Sequence, residues 1–196
     1  FQGLDLEMGF INSFEDLMEL EARMFQFMFK TLNEQYAPEL EMYLGKDARL
    51  PELTVFPKIK FMEAKQLFAD AHPGEQGKRA LLEPDFAPEE EKWLGEYFLK
   101  EHNAPIVFVT HYPSVKRPFY AMEDPADPKF TLSFDMLLNG LEVTTGGQRI
   151  HDYAEQVAKM QKRGMDIDQF EDYLTMHKYG MPPHGGMGLG LERIVE

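Results

Sequence analysis

Two acidic residues flank a tight turn in the second half of the chain. Asp135 and Glu142 lie on either side of Asn139-Gly140, which separates two apolar runs and predicts a two-residue type I′ hairpin. In that register Leu137 faces Glu142 and Asp135 faces Thr144, so the carboxylates lie diagonally on one face, roughly 5–8 Å apart at Cβ. They repel each other unless a cation or an arginine lies between them. With waters and substrate phosphates they suit Mg²⁺; the alternatives are a solvated polar face or a salt bridge.

The residues that follow the hairpin add a cation and a flexible backbone. Gly146 and Gly147 allow a ligand or another strand to approach the main chain closely. Arg149 supplies a planar fork that suits a carboxylate or a phosphate. A β-bulge followed by a surface arginine is the alternative. Strict alternation puts Thr145 on the face opposite Asp135, so Thr145 can share a site with it only if the glycines kink the strand.

A third candidate feature lies near the end of the chain. Spaced glycines over 185–190 lead into a short apolar helix that carries Arg193. Open backbone, a helix N-terminus and a cation together suit a nucleotide, although neither a dinucleotide fingerprint nor a P-loop is present. Glycine-rich packing without a ligand is the alternative. None of the six histidines has zinc-ligand spacing, and His184 alone is expected near a site.

The patterns around these residues favour an α+β fold with an antiparallel β-sheet flanked by helices. Hairpins and long excursions, with helices grouped between them, connect the predicted strands. Strands are predicted at 3–10, 104–110, 118–122, 129–138 and 141–145, with an extended stretch at 180–190. Helices are predicted at 14–34, 87–100, 151–164 and 167–176, and a strand followed by a helix within 58–69.

Length and composition exclude several classes of protein. The chain has 196 residues, which suits one domain, and 43% of them are hydrophobic, which indicates a real core. Its net charge of −14 argues against a protein that coats nucleic acid or an anionic membrane. Cysteine is absent, which excludes disulfide scaffolds and thiolate metal sites. No apolar run approaches the ~18–20 residues that a bilayer span needs, so no membrane association is expected.

Four phrases in register resemble the catalytic domain of the class II aminoacyl-tRNA synthetases. The likeness is to the aspartyl/asparaginyl branch, and most of all to archaeal-type aspartyl enzymes. The last phrase contains the third class II motif, glycines followed by Glu-Arg, whereas 36–100 carries much less of the signal. The phrases are GLDLEM (3–8), YPSVKRPFYAM (112–122), FDMLLNGLEVTTGGQRIHDY (134–153) and YGMPPHGGMGLGLERIV (179–195).

The resemblance implies a six-stranded antiparallel catalytic sheet that binds ATP, Mg²⁺ and an amino acid. The implied reaction is in-line attack of the aspartate carboxylate on the α-phosphate of ATP, followed by transfer of the aspartyl group to the 3′ end of tRNA. Positioning and charge neutralisation suffice, without a protein nucleophile. Asparagine enzymes also keep an arginine at the position of Arg149. They more often read GGSQR where this chain has GGQR, which favours aspartate.

The resemblance also assigns roles to individual residues. Asp5 would hold the substrate ammonium group, and Arg149 would grip the substrate side chain. Asp135 and Glu142 would bind Mg²⁺ with the ATP phosphates. Thr145, where the family usually has serine, would assist both the metal and the amino acid. The residues implied to line ATP are Glu142, Gly190, Leu191, Glu192 and Arg193, with Arg193 at the γ-phosphate.

By the same resemblance, the chain is expected to be the C-terminal part of a catalytic domain. The arginine-bearing second motif would lie before Phe1, as would the dimer motif and an N-terminal domain that contacts the tRNA anticodon. Residues 1–196 alone are therefore expected not to form the adenylate, and the whole enzyme is expected to be a cytoplasmic homodimer. The alternatives are an asparaginyl-tRNA synthetase, a synthetase-like asparagine synthetase, and a catalytically idle paralogue that acts as a binding module.

Overall fold

A six-stranded sheet forms the centre of the structure, a computed structural model that describes residues 1–195. The strands are β1 (Gly3–Gly9), β2 (Lys58–Lys60), β3 (Ile106–Thr110), β4 (Glu123–Asp124), β5 (Asp127–Thr131), β6 (Ser133–Leu138), β7 (Leu141–Gln148) and β8 (His184–Gly190). The helices are α1 (Glu15–Gln35), α2 (Ala37–Leu44), α3 (Phe61–Ala71), α4 (Glu75–Leu82), α5 (Pro88–His102), α6 (Tyr153–Lys162), α7 (Glu171–Lys178) and α8 (Leu191–Val195).

The order of the strands confirms the α+β prediction. Across the sheet they run β1-β8-β7-β6-β3-β2, and β4 and β5 form a separate small hairpin. All neighbours in the large sheet are antiparallel except β2 and β3, which are parallel. No helix formed by residues 1–195 combines the length and the apolar character needed to cross a membrane.

Helices cover both faces of the sheet, but not to the same extent. One face packs against α1, whose Leu17 and Phe25 are fully buried together with Phe134 of β6. The opposite face packs against α3 and α5 around β3, where Val107 and Val109 are buried. The helices on that second face lie at the β3 end, and the cavities described below lie over β1, β8 and β7.

The β6–β7 hairpin confirms the predicted turn but not the whole predicted register. Asn139 and Gly140 both have positive φ, 50° and 82°, as a type I′ turn requires. Leu137 pairs with Glu142 as expected, but a bulge follows, because Val143 is one residue more than the opposing strand supplies.

The bulge changes the face on which Thr145 lies. Asp135 pairs with Thr145, and the predicted pairing with Thr144 is wrong. Thr145 therefore shares a face with Asp135, and the irregularity that puts it there precedes Gly146 instead of coinciding with the glycines.

Two other predictions need correction. Residues 118–122 form no strand; a single bridge joins Ala121 to Arg149. Pro118 lacks the N–H group that a strand would use at its first position. The region 36–100 contains α2 and α4 as well as the expected α3 and α5. Pro38 falls in the first turn of α2, a position that tolerates proline, so it does not break the helix there.

Glu21 of α1 is an acidic side chain inside the core. It is 0% exposed, and no salt bridge reaches it from residues 1–195. Burial raises the pKa of Glu21 from 4.5 to about 8, the Thr144 hydroxyl lowers it by less, and the Asp135 charge raises it further. Glu21 is therefore protonated in the folded protein at neutral pH.

Replacing Glu21 by glutamine should remove a pH-dependent loss of stability. Between pH 4.5 and 8 the unfolded chain ionises Glu21 and the folded chain does not, so folding is progressively disfavoured as the pH rises. Glu21→Gln should therefore gain free energy of unfolding relative to the unsubstituted chain, by on the order of 4 kcal/mol at pH 8 compared with pH 4. Urea unfolding across that range measures this. The exposed Glu19→Gln is the control, and a difference independent of pH would contradict the account.

Candidate active site

Four strands place a row of polar and small residues across one face of the sheet. Asp5 of β1 pairs with Gly188 of β8, Gly188 pairs with Thr145 of β7, and Thr145 pairs with Asp135 of β6. Cross-strand partners point to the same face, so the row is carboxylate, bare backbone, hydroxyl and carboxylate. Asp5 and Thr145, which are 140 positions apart in the sequence, lie in the same row because both are held by strands of the sheet.

The glycines of β8 keep the space above this row open. A Cβ added to Gly188 would lie 2.9 Å from Asp5 Oδ1, and one added to Gly186 would collide with the Glu7 carboxylate. Side chains at these positions would therefore fill the space between β1 and β7. The glycines of β8 are therefore needed for two reasons: they leave room for the Asp5 and Glu7 side chains, and they leave the main chain accessible to a ligand.

Two cavities adjoin each other over this floor. The first has a volume of about 540 Å³, the second about 590 Å³, and Thr145 and Gly188 line both of them. Polar residues that line the first are Asp5, Glu7, Arg117, Tyr120, Ser133, Thr145 and Arg149. Charged residues and glycines that line the second are Glu142, Gly188, Gly190, Glu192 and Arg193.

The structure thus brings together most of the residues singled out in the sequence. Asp5, Thr145 and Arg149 line the first cavity. Glu142, Thr145, Gly190, Glu192 and Arg193 line the second. Two of the implied residues line neither cavity: Asp135, which is buried at the β6 end of the row beside Arg117, and Leu191, which is 44% exposed.

Arg149 is held at the edge of the first cavity by a carboxylate and a ring. Its Nε and Nη2 lie 3.3 Å and 3.4 Å from the two carboxylate oxygens of Glu7. Its guanidinium carbon lies 5.0 Å from the centre of the Tyr120 ring. The main-chain N–H of Arg149 donates to the carbonyl of His184, so His184 contributes through its backbone, while its imidazole contacts the Pro182 carbonyl. The planar fork is therefore oriented before any ligand binds.

Arg117 is a site residue that the patterns did not single out, although it lies within the phrase YPSVKRPFYAM. Its Nη2 lies 2.7 Å from Asp135 Oδ2, and both side chains are nearly buried, 10% and 5% exposed. Its guanidinium carbon lies 3.9 Å from the centre of the Tyr112 ring. Burial opposes the charge of Arg117, but the Asp135 carboxylate outweighs it and raises the pKa of Arg117. The one indication of Arg117 in the sequence was the expectation that a cation or an arginine lies beside the Asp135 carboxylate.

Glu142 directly precedes the extra residue of the bulge and contacts both Thr145 and Arg193. The Thr145 hydroxyl donates to Glu142 Oε1 at 2.9 Å. Arg193 donates to the Glu142 main-chain carbonyl at 2.7 Å and lies 3.5 Å from Oε1. Burial, and then the Asp135 charge, raise the pKa of Glu142. The carboxylate and the hydroxyl present two oxygens on the same face, because the extra residue between them restores the alternation.

The oxygen donors fit Mg²⁺ only in the company of phosphate. Within residues 1–195, no group of three histidine, aspartate or glutamate side chains is arranged to hold a metal ion. Glu142 and Thr145 offer one carboxylate and one hydroxyl, and Asp135 Oδ1 has no hydrogen-bond partner in the described part of the chain. Mg²⁺ commonly takes one or two protein carboxylates and fills its octahedron with waters and substrate phosphates, which matches this donor set.

The start of β1 is tied to the glycine-rich motif. The Gln2 N–H donates to Glu192 Oε1 at 2.8 Å, and the Leu191 N–H donates to the Gln2 carbonyl at 3.1 Å. Both contacts keep α8 beside the first strand. Leu191 therefore acts here through its main chain, and Arg193, which follows on the same short helix, reaches back to β7.

With this geometry established, the sequence matches a known family along its whole length. The profile described as tRNA synthetases class II (D, K and N) matches residues 1–196. The chain belongs to that family. The six-stranded, largely antiparallel sheet that the resemblance implied is therefore confirmed both by the strand order and by the family.

Three relatives of this class II synthetase chain illustrate the likeness. An aspartate–tRNA(Asp/Asn) ligase of Aeropyrum pernix is 37% identical over 195 residues, which is 100% of this chain and 43% of that protein. An aspartyl-tRNA synthetase from Entamoeba histolytica has a TM-score of 0.88 at 29% identity, covering 99% of this chain and 39% of that one. An asparaginyl-tRNA synthetase from Pyrococcus horikoshii, complexed with asparaginyl-adenylate, has a TM-score of 0.80 at 32% identity, covering 98% and 43%. The synthetase chain thus spans less than half the length of these relatives.

Removing the Arg117 side chain should destabilise this synthetase chain, because the buried Asp135 carboxylate loses its ion-pair partner. Arg117→Met should lower the free energy of unfolding by about 3 kcal/mol, since a buried charge loses its partner. The double variant Arg117→Met/Asp135→Leu should recover most of that loss, because no buried charge is left. Urea unfolding checks both, with Lys116→Met as the exposed neighbouring control. Equal destabilisation of the single and double variants would show that the ion pair is not the reason.

Proposed function

We propose that the complete gene product containing this chain activates aspartate with ATP and Mg²⁺ and transfers the aspartyl group to tRNA. The observation that carries the proposal is the pair of adjoining cavities that share Thr145 and Gly188. One has the charges of an amino-acid site and the other those of a nucleotide site. An aminoacyl-adenylate is a single molecule that needs both, side by side. The family, and relatives named aspartate–tRNA(Asp/Asn) ligase and aspartyl-tRNA synthetase, support the same reaction.

The first cavity complements aspartate at each of its ionised groups. Asp5 offers a carboxylate to the substrate ammonium group. Arg149 offers its fork to the β-carboxylate, and Glu7 holds that fork in orientation. Arg117, which also lines this cavity, supplies a second cation close to the substrate carboxylates. Two parallel hydrogen bonds from one guanidinium to one carboxylate are both strong and geometrically specific, so they favour aspartate.

The second cavity complements the phosphates of ATP. Gly190 leaves the backbone open, and Arg193 supplies the cation for the γ-phosphate. Glu142 and Thr145 would hold Mg²⁺, which when bound neutralises phosphate charge and fixes the orientation of the phosphates. Asp135 is engaged first with Arg117, and its unpaired Oδ1 is the atom that can contact the metal or a metal-bound water. Arg193 leaves the Glu142 carboxylate as phosphate enters.

The residues of the chain act in the proposed reaction by positioning and by charge. A carboxylate oxygen of aspartate attacks the α-phosphorus, the bond from that phosphorus to the β-phosphate bridging oxygen breaks, and pyrophosphate leaves. Asp5 and Arg149 fix the attacking end, while Arg193 stabilises charge on the departing end. No proton has to be moved, and no side chain becomes a nucleophile, so fixed geometry and electrostatic stabilisation supply the rate enhancement.

Asparagine is the second candidate substrate, because the fold is also that of an asparaginyl-tRNA synthetase that was solved with its adenylate. The name of the Aeropyrum relative joins tRNA(Asp) and tRNA(Asn), which supports testing both tRNAs. For the complete gene product we further propose a cytoplasmic homodimer whose anticodon contacts lie outside residues 1–196. The paired arginines of the first cavity argue against a catalytically idle paralogue.

Substitution of Arg149 tests the assignment of the side-chain subsite. In the complete gene product, Arg149→Ala should reduce kcat/KM for aspartate in ATP–pyrophosphate exchange by roughly a hundredfold or more, because a partly buried, charge-assisted contact is lost. The dissociation constant for ATP with Mg²⁺, measured by titration calorimetry, should change less than about twofold, since Arg149 does not line the second cavity. Arg23→Ala, an exposed arginine on α1, is the matched control.

Unchanged aspartate activation in Arg149→Ala would contradict the subsite assignment. Absence of any aspartate-dependent exchange in the unsubstituted protein would contradict the proposed function itself. Exchange that depends on asparagine and not on aspartate would favour the second candidate.

A further inference from the structure

One helix outside the two cavities is hydrogen-bonded to the loop that supplies four of the residues lining the first cavity. Gln156, Lys159 and Arg163 follow one another at intervals of three and four along α6 and its C-terminal cap, and so share a helix face. Each donates to a different main-chain carbonyl in the segment 114–121: Gln156 Nε2 to Phe119 at 3.2 Å, Lys159 Nζ to Ala121, and Arg163 Nη2 to Ser114 at 2.6 Å.

These three carbonyls belong to the segment that supplies residues to the first cavity. Arg117, Pro118, Tyr120 and Ala121 line that cavity. Of the anchored carbonyls, that of Ser114 precedes them, that of Phe119 lies among them, and that of Ala121 belongs to the last of them. The main chain of this segment forms a single bridge, from Ala121 to Arg149, and its Tyr120 carbonyl accepts a hydrogen bond from the Ile150 N–H. Side chains of α6 add three further bonds, at Ser114, Phe119 and Ala121.

Lys159 is a charged side chain in a buried position, which packing alone does not explain. It is 6% exposed, and its amine contacts the Ala121 carbonyl and lies 3.6 Å from Glu123. Burial lowers the pKa of Lys159 from 10.5 to about 8, although Glu123 opposes the shift. A buried ammonium group is unfavourable unless it is paired and hydrogen-bonded, so an apolar side chain would pack there at lower cost. What the ammonium adds is a directed bond to the loop.

Neighbouring contacts support the same arrangement. Glu123 also accepts a hydrogen bond from the Ser114 hydroxyl at 2.8 Å, which joins the start of the loop to its end. The Tyr173 hydroxyl of α7 donates to Gln156 Oε1 at 3.3 Å, and the Phe119 ring packs edge-on against the Tyr173 ring at 5.5 Å. The anchors thus form a connected set between α6, α7 and the loop.

We propose that Lys159, with Gln156 and Arg163, is a positioning residue for amino-acid binding: it fixes the loop that holds Arg117 and Tyr120 over the first cavity, without touching the substrate. This inference rests on the proposed function for its kinetic consequence, but not for its structural one. The main effect of α6 is therefore on affinity for the amino acid, because four residues of the loop line the first cavity and none lines the second.

The kinetic test compares three variants of the complete gene product in ATP–pyrophosphate exchange. Lys159→Met should raise the KM for aspartate by roughly tenfold, while the KM for ATP changes less than about twofold. Lys159→Arg, which keeps a donor and a charge, should restore part of the loss. Lys162→Met removes an exposed lysine from the same helix and should leave both constants unchanged. Equal changes in both KM values, or no change in either, would overturn the proposal.

A second readout does not depend on activity. In Lys159→Met, main-chain amides of 115–121 should exchange with deuterium roughly tenfold faster, whereas those of β6 and β7 keep the rates of the unsubstituted protein. Lys162→Met should match the unsubstituted protein throughout. If the unsubstituted protein shows no aspartate-dependent exchange of pyrophosphate, the proposed function fails while this measurement still decides on the loop. Unchanged deuterium exchange over 115–121 would overturn the positioning role.

Discussion

Side chains alternate along a β-strand, so two residues three positions apart normally point to opposite faces of the sheet. Glu142 and Thr145 are three apart, yet they share a face and a hydrogen bond, because Val143 is an extra residue in a bulge. The bulge also brings Thr145 opposite Asp135, which completes the row that begins with Asp5. Both cavities include Thr145, so their adjacency depends on this one irregularity. Bulges occur preferentially where a strand must re-aim a side chain near a site.

Several of the carboxylates that make the chain acidic pair with the arginines of the two cavities. A charge of −14 excludes a general nucleic-acid coat, but it leaves open a site that needs cations at a few points. Each arginine that lines the two cavities is paired with a carboxylate. The pairs are Arg117–Asp135, Arg149–Glu7 and Arg193–Glu142. Such pairing orients the guanidinium groups before a ligand arrives, which reduces the entropy that binding must overcome. Carboxylates and phosphates of a ligand then replace, or join, the internal acids.

Local patterns in the sequence predict the parts of the structure that local physics decides. The Asn139-Gly140 turn, the long apolar stripe of α1 and the helix at 87–100 all follow from residue types within one element. The bulge does not, because Val143 and Thr144 both satisfy the strand pattern, and only the structure shows that Val143 is the extra residue and is buried in the core with α1. The segment 118–122 looks like a strand, but its Phe119 and Ala121 carbonyls accept hydrogen bonds from α6, which lies more than 30 residues further along the chain. Arg117 was missed for the same reason, since its partner Asp135 belongs to a different element.

The most direct test of the whole account is a crystal structure of the complete gene product with a non-hydrolysable aspartyl-adenylate analogue. The account predicts that the analogue crosses Thr145 and Gly188 from the first cavity into the second. Its ammonium group should lie at Asp5, its side-chain carboxylate at Arg149, and its adenylate on the side of Gly190 and Arg193. An analogue that occupies a different cavity, or that leaves Arg149 in contact with Glu7 alone, would contradict the central claim that this face of the sheet joins an amino-acid site to a nucleotide site.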